Sequence, residues 1–322
     1  MHERLYNLLL RRGIVIQTAE IYNPPAGFYD YGPVGARIKR RIVDLWRRIF
    51  LSRPNFYEMD GCTILPEAVL KASGHADHFH DPLVECAECH RKFRADHMVE
   101  EALSVDASHM SMEDLDKLFK EKEIKCPVCG GRLGGVKPFS LMFETYIGPV
   151  GGVRGYARPE TAQNIFLSFH KVFLTHGAKL PMAIAQVGRA YRNEISPRQG
   201  LIRLREFTQM EIEYFFDPEE EEEDLFEEAK EEYILLLTRK DQEDGKKEGQ
   251  LITVGDAYRK DLLPLKTLGY FMALERRLMD ALGIRTYRIR HLMEDETPHY
   301  SGGNFDLCLL YTSDAADEGL GV

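Results

Sequence analysis

The chain has 322 residues, a formal net charge of −10, and 44% hydrophobic against 29% charged residues. That composition suffices for one large or two ordinary domains with a buried core, and its acidity argues against a protein that coats nucleic acid nonspecifically. No apolar run approaches a membrane span, and the start MHERLYNLLLRRG lacks an apolar segment with a small-residue cleavage site, so a cytoplasmic location is expected.

Residues 1–34 carry a short helix and then AEIYNPPAGFYDYGPVG, where Pro24, Pro25 and the glycines mark loop. From Gly35 the pattern turns helical, with Ile38, Ile42, Leu45 and Ile49 on one stripe and basic residues over most of the rest. Residues 56–64 read as strand, ending at Pro66. Residues 67–80 gather His75, His78 and His80. His75 and His78 could share a helical turn, but a polar loop describes this stretch better than a metal site.

The cysteines give a sharper signal. Cys86-Ala-Glu-Cys89 and Cys126-Pro-Val-Cys129 are two CxxC knuckles, and Gly130-Gly131 permits a tight turn after the second. Each knuckle holds two thiolates close enough for one tetrahedral zinc. Close pairs in a reducing compartment indicate metal rather than disulfides. The alternative is four buried or free thiols without metal. A full thiolate shell leaves no open coordination position, so the zinc would be structural. Between the knuckles, Ser111 is placed to cap a helix running through Leu115, Leu118 and Phe119.

Arg158-Pro159-Glu160-Thr161-Ala162-Gln163 reads as a strand-to-helix junction, where a carboxylate suits the helix N-terminus. Residues 189–213 organise the rest of the chain. A β-leaning segment precedes them, the turn Ser196-Pro197-Arg198-Gln199-Gly200 interrupts them, and an alternating segment returns. If that segment is strand, Arg203, Arg205, Phe207, Gln209 and Glu211 share one face. Leu204, Thr208, Met210 and Ile212 share the other, with Glu206 as its polar exception. Gln186, Arg192 and Glu194 share a face of the outgoing strand. Alternation alone also fits a solvated hairpin. However, guanidinium groups, a ring and carboxylates together suit a ligand with phosphates, a flat base and an amine.

Residues 217–250 become strongly polar and read as a charged helix leading into a flexible surface excursion, and the acidic run that opens them is given no function. Residues 262–282 return to helical periodicity, and residues 287–290 read as strand. Residues 307–322 are a small, acidic string unlike what precedes them.

The order Tyr191-Arg192-Asn193-Glu194, a loop, then Arg203, Phe207 and Glu211 at four-residue steps resembles motif 2 of class II aminoacyl-tRNA synthetases. The longer string RNEISPRQGLIRLREFTQMEIEYF is similar to glycyl-tRNA synthetases of the dimeric archaeal and eukaryotic type. The likeness runs over roughly residues 5–306. The helix–strand–proline series before residue 67 resembles motif 1, which implies a homodimer. The resemblance implies a class II catalytic core, an α+β fold with an antiparallel sheet flanked by helices and a zinc-ribbon-like insertion. It implies ATP with Mg2+, glycine and tRNA(Gly) as substrates, and no membrane partner.

By the same resemblance, Arg192 and Arg203 are catalytic, and Arg192, Asn193, Glu194, Ile202, Arg203, Leu204, Arg205, Glu206 and Phe207 bind ATP. Arg192 would neutralise the α-phosphate, Glu194 would meet the adenine edge, Phe207 would stack on the ring, and Arg203 or Arg205 would hold the distal phosphates. Arg94, Glu160, Phe207, Thr208, Gln209, Met210 and Glu211 are assigned to glycine, with Glu160 and Glu211 on its ammonium group. A rival reading is a non-catalytic synthetase-like module that dimerises or binds tRNA.

The expected organisation is 1–80 with motif 1, 81–137 as the insertion, 138–306 with motif 2, and 307–322 as a non-native tail. Motif 3 and an anticodon-binding domain are expected to be missing, which would leave the chain by itself inactive.

Overall fold

The computed structural model describes residues 2–107, 110–197, 200–217, 219, 223–297 and 301–310. Arg198, Gln199, His299, Tyr300, part of the acidic run and most of the expected tail lie outside them. The chain divides into two compact units. The first comprises Met1–Arg37, Glu58–Val172 and Ala185–Glu213, and the second Ile38–Tyr57, Phe173–Ile184 and Tyr214–Val322.

In the first unit, strand His80–Glu85 is central to a three-stranded antiparallel sheet. Leu83 lies opposite both Arg94 of strand Lys92–Arg94 and Lys137 of strand Lys137–Ser140. Helices Ala95–Leu103 and Met112–Glu121 complete the insertion. Its core gathers Val84, Phe93, Met98, Val99, Leu115 and Phe119 with Cys86 and Cys126. Ser111 caps the second helix as its sequence suggests, accepting from the backbone N–H of Asp114 at 3.1 Å. Such a cap contributes about 1 kcal/mol. A second antiparallel sheet runs in the order Ile64–Pro66, Val153–Ala157, Phe143–Ile147. It leads through Arg158 to the helix Ala162–Thr175.

The long strands Met182–Tyr191 and Glu206–Phe215 are neighbours in a sheet whose third member is Phe56–Met59. Met182 through Gln186 are all buried, as expected of a strand covered on both faces. The returning strand is half-buried along its whole length. It begins at Glu206, so Arg203 and Arg205 lie on the tip and not on the strand face read from alternation. The backbone accounts for this. Arg205 N–H donates to Gly27 O at 2.9 Å, and its side chain turns back onto Glu194 O, at 3.1 Å from Nε.

The second unit holds a four-stranded sheet in the order Gln250–Thr253, Tyr233–Leu237, Tyr287–His291, Phe305–Leu309. The middle pair is parallel and the outer pairs are antiparallel. Helices Glu223–Ala229, Val254–Arg259 and Lys266–Leu282 belong to the same unit. This corrects the reading of residues 217–250 as an excursion. Ile234, Leu236 and Leu237 are core residues of an inner strand. A five-residue apolar run without alternation is what a doubly covered strand looks like in sequence, and here the charge on either side concealed it. No helix among the described residues is long and apolar enough to cross a membrane.

Candidate active site

The strand-to-helix junction is built on Arg158, which is 1% exposed. Its Nε donates to Arg189 O at 2.8 Å, and its Nη1 to Gly61 O at 2.9 Å, Cys62 O at 3.2 Å and Asn164 Oδ1 at 3.2 Å. With its amide oxygen turned inward, buried Gln186 also accepts from Nη2 at 3.1 Å. Gly188 makes room for this guanidinium, because a Cβ there would stand 2.1 Å from Nη2. Burial pulls the Arg158 pKa down, and Asp60 leads the neighbours that oppose the shift. One buried fork thus ties the outgoing strand to the residues that precede Glu160.

Two carboxylates meet at the junction. Glu160 Oε1 accepts from Gln163 Nε2 at 2.6 Å and faces His75 Nε2 at 3.3 Å. His75 is the main influence holding Glu160 below the usual carboxylate range, helped by Gln163 and Arg192 against desolvation. Glu211 Oε2 accepts from the Thr161 hydroxyl, and Gln209 Oε1 accepts from Thr161 N–H at 3.2 Å. Burial pushes the Glu211 pKa up, Thr161 counters it, and the charge of Glu160 adds to it. Glu213, two residues on, is pushed up to about 7 by burial, then by Glu211 and Glu160. By strand alternation Phe207, Gln209 and Glu211 share one face, as expected, and Glu213 continues it. Thr208 and Met210 take the other. Thr208 Oγ1 is buried there without a hydrogen-bond partner among the described residues.

Arginines supply the opposite charge. Arg192 Nε donates to Pro159 O at 3.2 Å, one residue from Glu160. Its guanidinium lies between two rings, 5.6 Å from the centre of Phe79 and 5.5 Å from that of Phe207. Arg203 Nε stands 3.6 Å from Glu194 Oε2. Arg94 Nε donates to Asp96 Oδ1 at 3.1 Å, and Nη1 lies 3.5 Å from Asp81 Oδ2. Desolvation works against the Arg94 charge, but Asp96, Asp81 and Glu194 outweigh it and raise its pKa. The insertion therefore brings Arg94 within electrostatic reach of Glu194.

Some expected residues stand apart. Ile202 is exposed, Glu206 pairs with Arg189 at 3.1 Å, and Asn193 N–H donates to Leu141 O at 2.6 Å. Leu204 is half-buried on the tip. Conversely, sequence reasoning gave no role in the site to His75, Phe79, Arg158 or Glu213. Only Glu213 carried a usable signal, since it continues the alternation one step past Glu211.

The four knuckle cysteines meet. Their sulfur atoms all lie within 4.8 Å of one another, with Cys86 Sγ 3.4 Å from Cys129 Sγ and Cys89 Sγ 3.7 Å from Cys126 Sγ. Backbone N–H groups, led by that of Cys89, hold the Cys86 thiol down to about 6 against the effect of burial. Four soft donors at this spacing, Cys86 and Cys126 both biased toward thiolate, fit a tetrahedral metal ion. Cys62 and Cys308 are outside this group, and His75, His78 and His80 form no metal-ligand group among the described residues.

The model of the tRNA synthetase class II core domain (G, H, P, S and T) matches residues 153–302. The glycine–tRNA ligase of Methanocaldococcus jannaschii is 45% identical over 307 residues, covering 94% of this chain and 53% of that protein. That of Thermococcus sibiricus is 46% identical over 309 residues, covering 95% and 54%. A solved structure of the RNA binding domain of threonyl-tRNA synthetase from Cryptosporidium parvum Iowa II is 16% identical with a TM-score of 0.44, covering 94% of this chain and 56% of that one. The chain spans about half the length of the curated relatives it matches. Residues 153–302 are thus similar to the class II tRNA synthetase core, and nearly the whole chain is similar to about half of a glycine–tRNA ligase.

Proposed function

We propose that this chain is the core of an enzyme that joins glycine to ATP as glycyl-adenylate and passes glycine to tRNA(Gly). One observation carries the reading: Glu160 and Glu211 are held at a single helix start by Gln163 and Thr161, with the Arg192 guanidinium beside Pro159. A site for a cation and a site for an anion thus lie side by side, as an amino acid reacting with a phosphate requires. Glycine has no side chain to grip, so selectivity must come from its ammonium group and from exclusion of anything larger.

In the first step a glycine carboxylate oxygen attacks the α-phosphorus of ATP, supplied as its Mg2+ complex, and pyrophosphate leaves in line. The protein contributes position and charge. Glu160 and Glu211 hold the ammonium, and Arg192 neutralises the α-phosphate. Arg203 and Arg205 on the tip serve the distal phosphates, with Glu194 on the adenine edge and Phe207 against the ring. Arg94 closes the substrate side. In the second step a terminal hydroxyl of tRNA displaces AMP. Cys86, Cys89, Cys126 and Cys129 hold a structural zinc that fixes the insertion of residues 81–137. The helix Pro33–Phe50 leaves Val34 and Ile38 exposed, which suits a homodimer contact. A non-catalytic module would have no use for the arginine and the paired carboxylates, so their presence together supports the enzyme reading.

The test is glycine-dependent exchange between ATP and pyrophosphate, measured on the protein at the length of its relatives. Exchange that requires glycine and ignores alanine and serine is the expected result. Exchange driven equally by another amino acid would overturn the assignment.

A further inference from the structure

The turn between helix Glu67–Ala72 and strand His80–Glu85 reads as a polar loop in sequence, yet its side chains reach both charge centres of the site. His75 opens the single helical turn His75–His78. Both its ring nitrogens are engaged. Nδ1 lies 2.9 Å from Ser73 Oγ, and Nε2 lies 3.3 Å from Glu160 Oε1. Ser73 Oγ has a second outlet in Leu70 O at 3.3 Å.

These partners limit where the ring hydrogens sit. If the Ser73 hydroxyl donates to Nδ1, the neutral ring carries its hydrogen on Nε2. If the ring is charged, both nitrogens donate and the hydroxyl passes its own hydrogen to Leu70 O. The third arrangement would set a bare Nε2 lone pair against a carboxylate oxygen. Both favourable arrangements therefore present Nε2–H to Glu160.

Gln163 Nε2 donates to the same Glu160 oxygen at 2.6 Å. Two donors on Oε1 fix the rotation of the carboxylate and leave Oε2 without a hydrogen-bond partner among the described residues. Gln163 Oε1 is likewise a buried acceptor without one. An ammonium group has three hydrogens to place, and unused acceptors of this kind suit it. At the far end of the turn, Phe79 packs against both the His75 ring, 5.5 Å between centres, and the guanidinium of Arg192.

We infer that His75 and Phe79 are positioning residues. His75 clamps Glu160 so that its second carboxylate oxygen faces the substrate ammonium, and Phe79 seats Arg192 for the phosphate. This rests on the proposed glycine activation, and it predicts a division of effects. In the protein at its relatives' length, His75→Leu should raise the glycine KM by about 10- to 100-fold, the range for one lost hydrogen bond to a charged group. It should leave the ATP KM within about twofold. Phe79→Leu should do the reverse. His75→Gln, whose amide can donate from a similar position, should recover most of the glycine affinity. Equal rises in both KM values for His75→Leu, or no recovery with His75→Gln, would overturn the clamp as a merely structural effect.

A parent protein without glycine-dependent exchange would defeat the functional reading, so the second measurement does not depend on activity. Ring 15N–1H correlations of His75 in this chain should show a protonated Nε2 that shifts in Glu160→Gln. Ring signals identical in the two proteins would overturn the inference.

Discussion

In the cysteine knuckles and in the strand-pair site, the fold brings together groups that repel one another once ionised. The four sulfur atoms lie within 4.8 Å of one another, with Val84, Phe93, Leu115 and Phe119 in the same core cluster as Cys86 and Cys126. That set is closed: four thiolates would complete the shell of one cation and leave no position for a substrate. In the site, Glu160, Glu211 and Glu213 accumulate like charge beside Arg192, and protein donors satisfy only part of each pair of oxygens. That set is open and keeps charge available for a ligand at the expense of stability. Clustered anions therefore build structure or chemistry according to whether the cluster is complete without a substrate. Disturbing the first should change stability, and disturbing the second should change affinity.

The largest effect is expected from removing the metal. Cys126→Ser, or a strong chelator, should abolish a zinc content near one equivalent and melt residues 81–137, because structural zinc contributes on the order of 10 kcal/mol in small sites. Elemental analysis with circular dichroism reads both. Zinc-free protein with unaltered unfolding would break the closed half of the comparison.

Next comes Glu211→Gln. Removing one partner of a desolvated charge pair costs about 3–5 kcal/mol, so glycine-dependent exchange should fall at least about 100-fold while the ATP KM changes little. Stability should hold or rise, since burial already disfavours that carboxylate. An unchanged glycine KM and kcat would assign Glu211 to structure instead.

Arg158 tests the frame beneath the open set. Arg158→Met removes the donors for Arg189 O, Gly61 O and Cys62 O together. Several unmade bonds to buried carbonyls should cost about 3 kcal/mol in urea unfolding. Arg158→Lys should recover little, because a single ammonium cannot span that fork. Full recovery by lysine would show that charge rather than geometry matters there.

Local rules carried much of this molecule. The Ser111 cap, the helix from Pro33 and the facing of Gln209 and Glu211 all follow from spacing and alternation, and the cysteine knuckles from their pairing. What stayed hidden depends on residues far apart in sequence. Arg158 is unremarkable until the carbonyl of Arg189 is set beside it. His75 is one histidine of three until Glu160 arrives from 85 positions later. Tyr233–Leu237 was misread because the run is short and lies between charged stretches, where burial on both faces leaves no alternation to find.

The smallest effect is the most specific. Glu213 has its pKa pushed to about 7, against an ordinary value of 4.5. Below pH 4.5 both folded and unfolded chains hold the proton, and Glu213→Gln should not alter stability. Between pH 4.5 and 7 the unfolded chain releases its proton first, so the native carboxyl contributes progressively less favourably as pH rises. Above pH 7 the penalty is complete and constant. Glu213→Gln should therefore be neutral in acid and stabilising at pH 8. The group is partly exposed, and screening by solvent reduces the effect to about 1 kcal/mol. Urea unfolding at pH 4.5, 6 and 8 measures it. Glu275 in the second unit supplies the control, since burial and then Asp306 also push its pKa to about 7. Glu275→Gln should show the same pH dependence and leave the glycine KM alone. With Glu213→Gln, Glu211 loses a charged neighbour above pH 7, so glycine binding at high pH should change with it. A stability difference independent of pH at Glu213 would remove it from the open cluster.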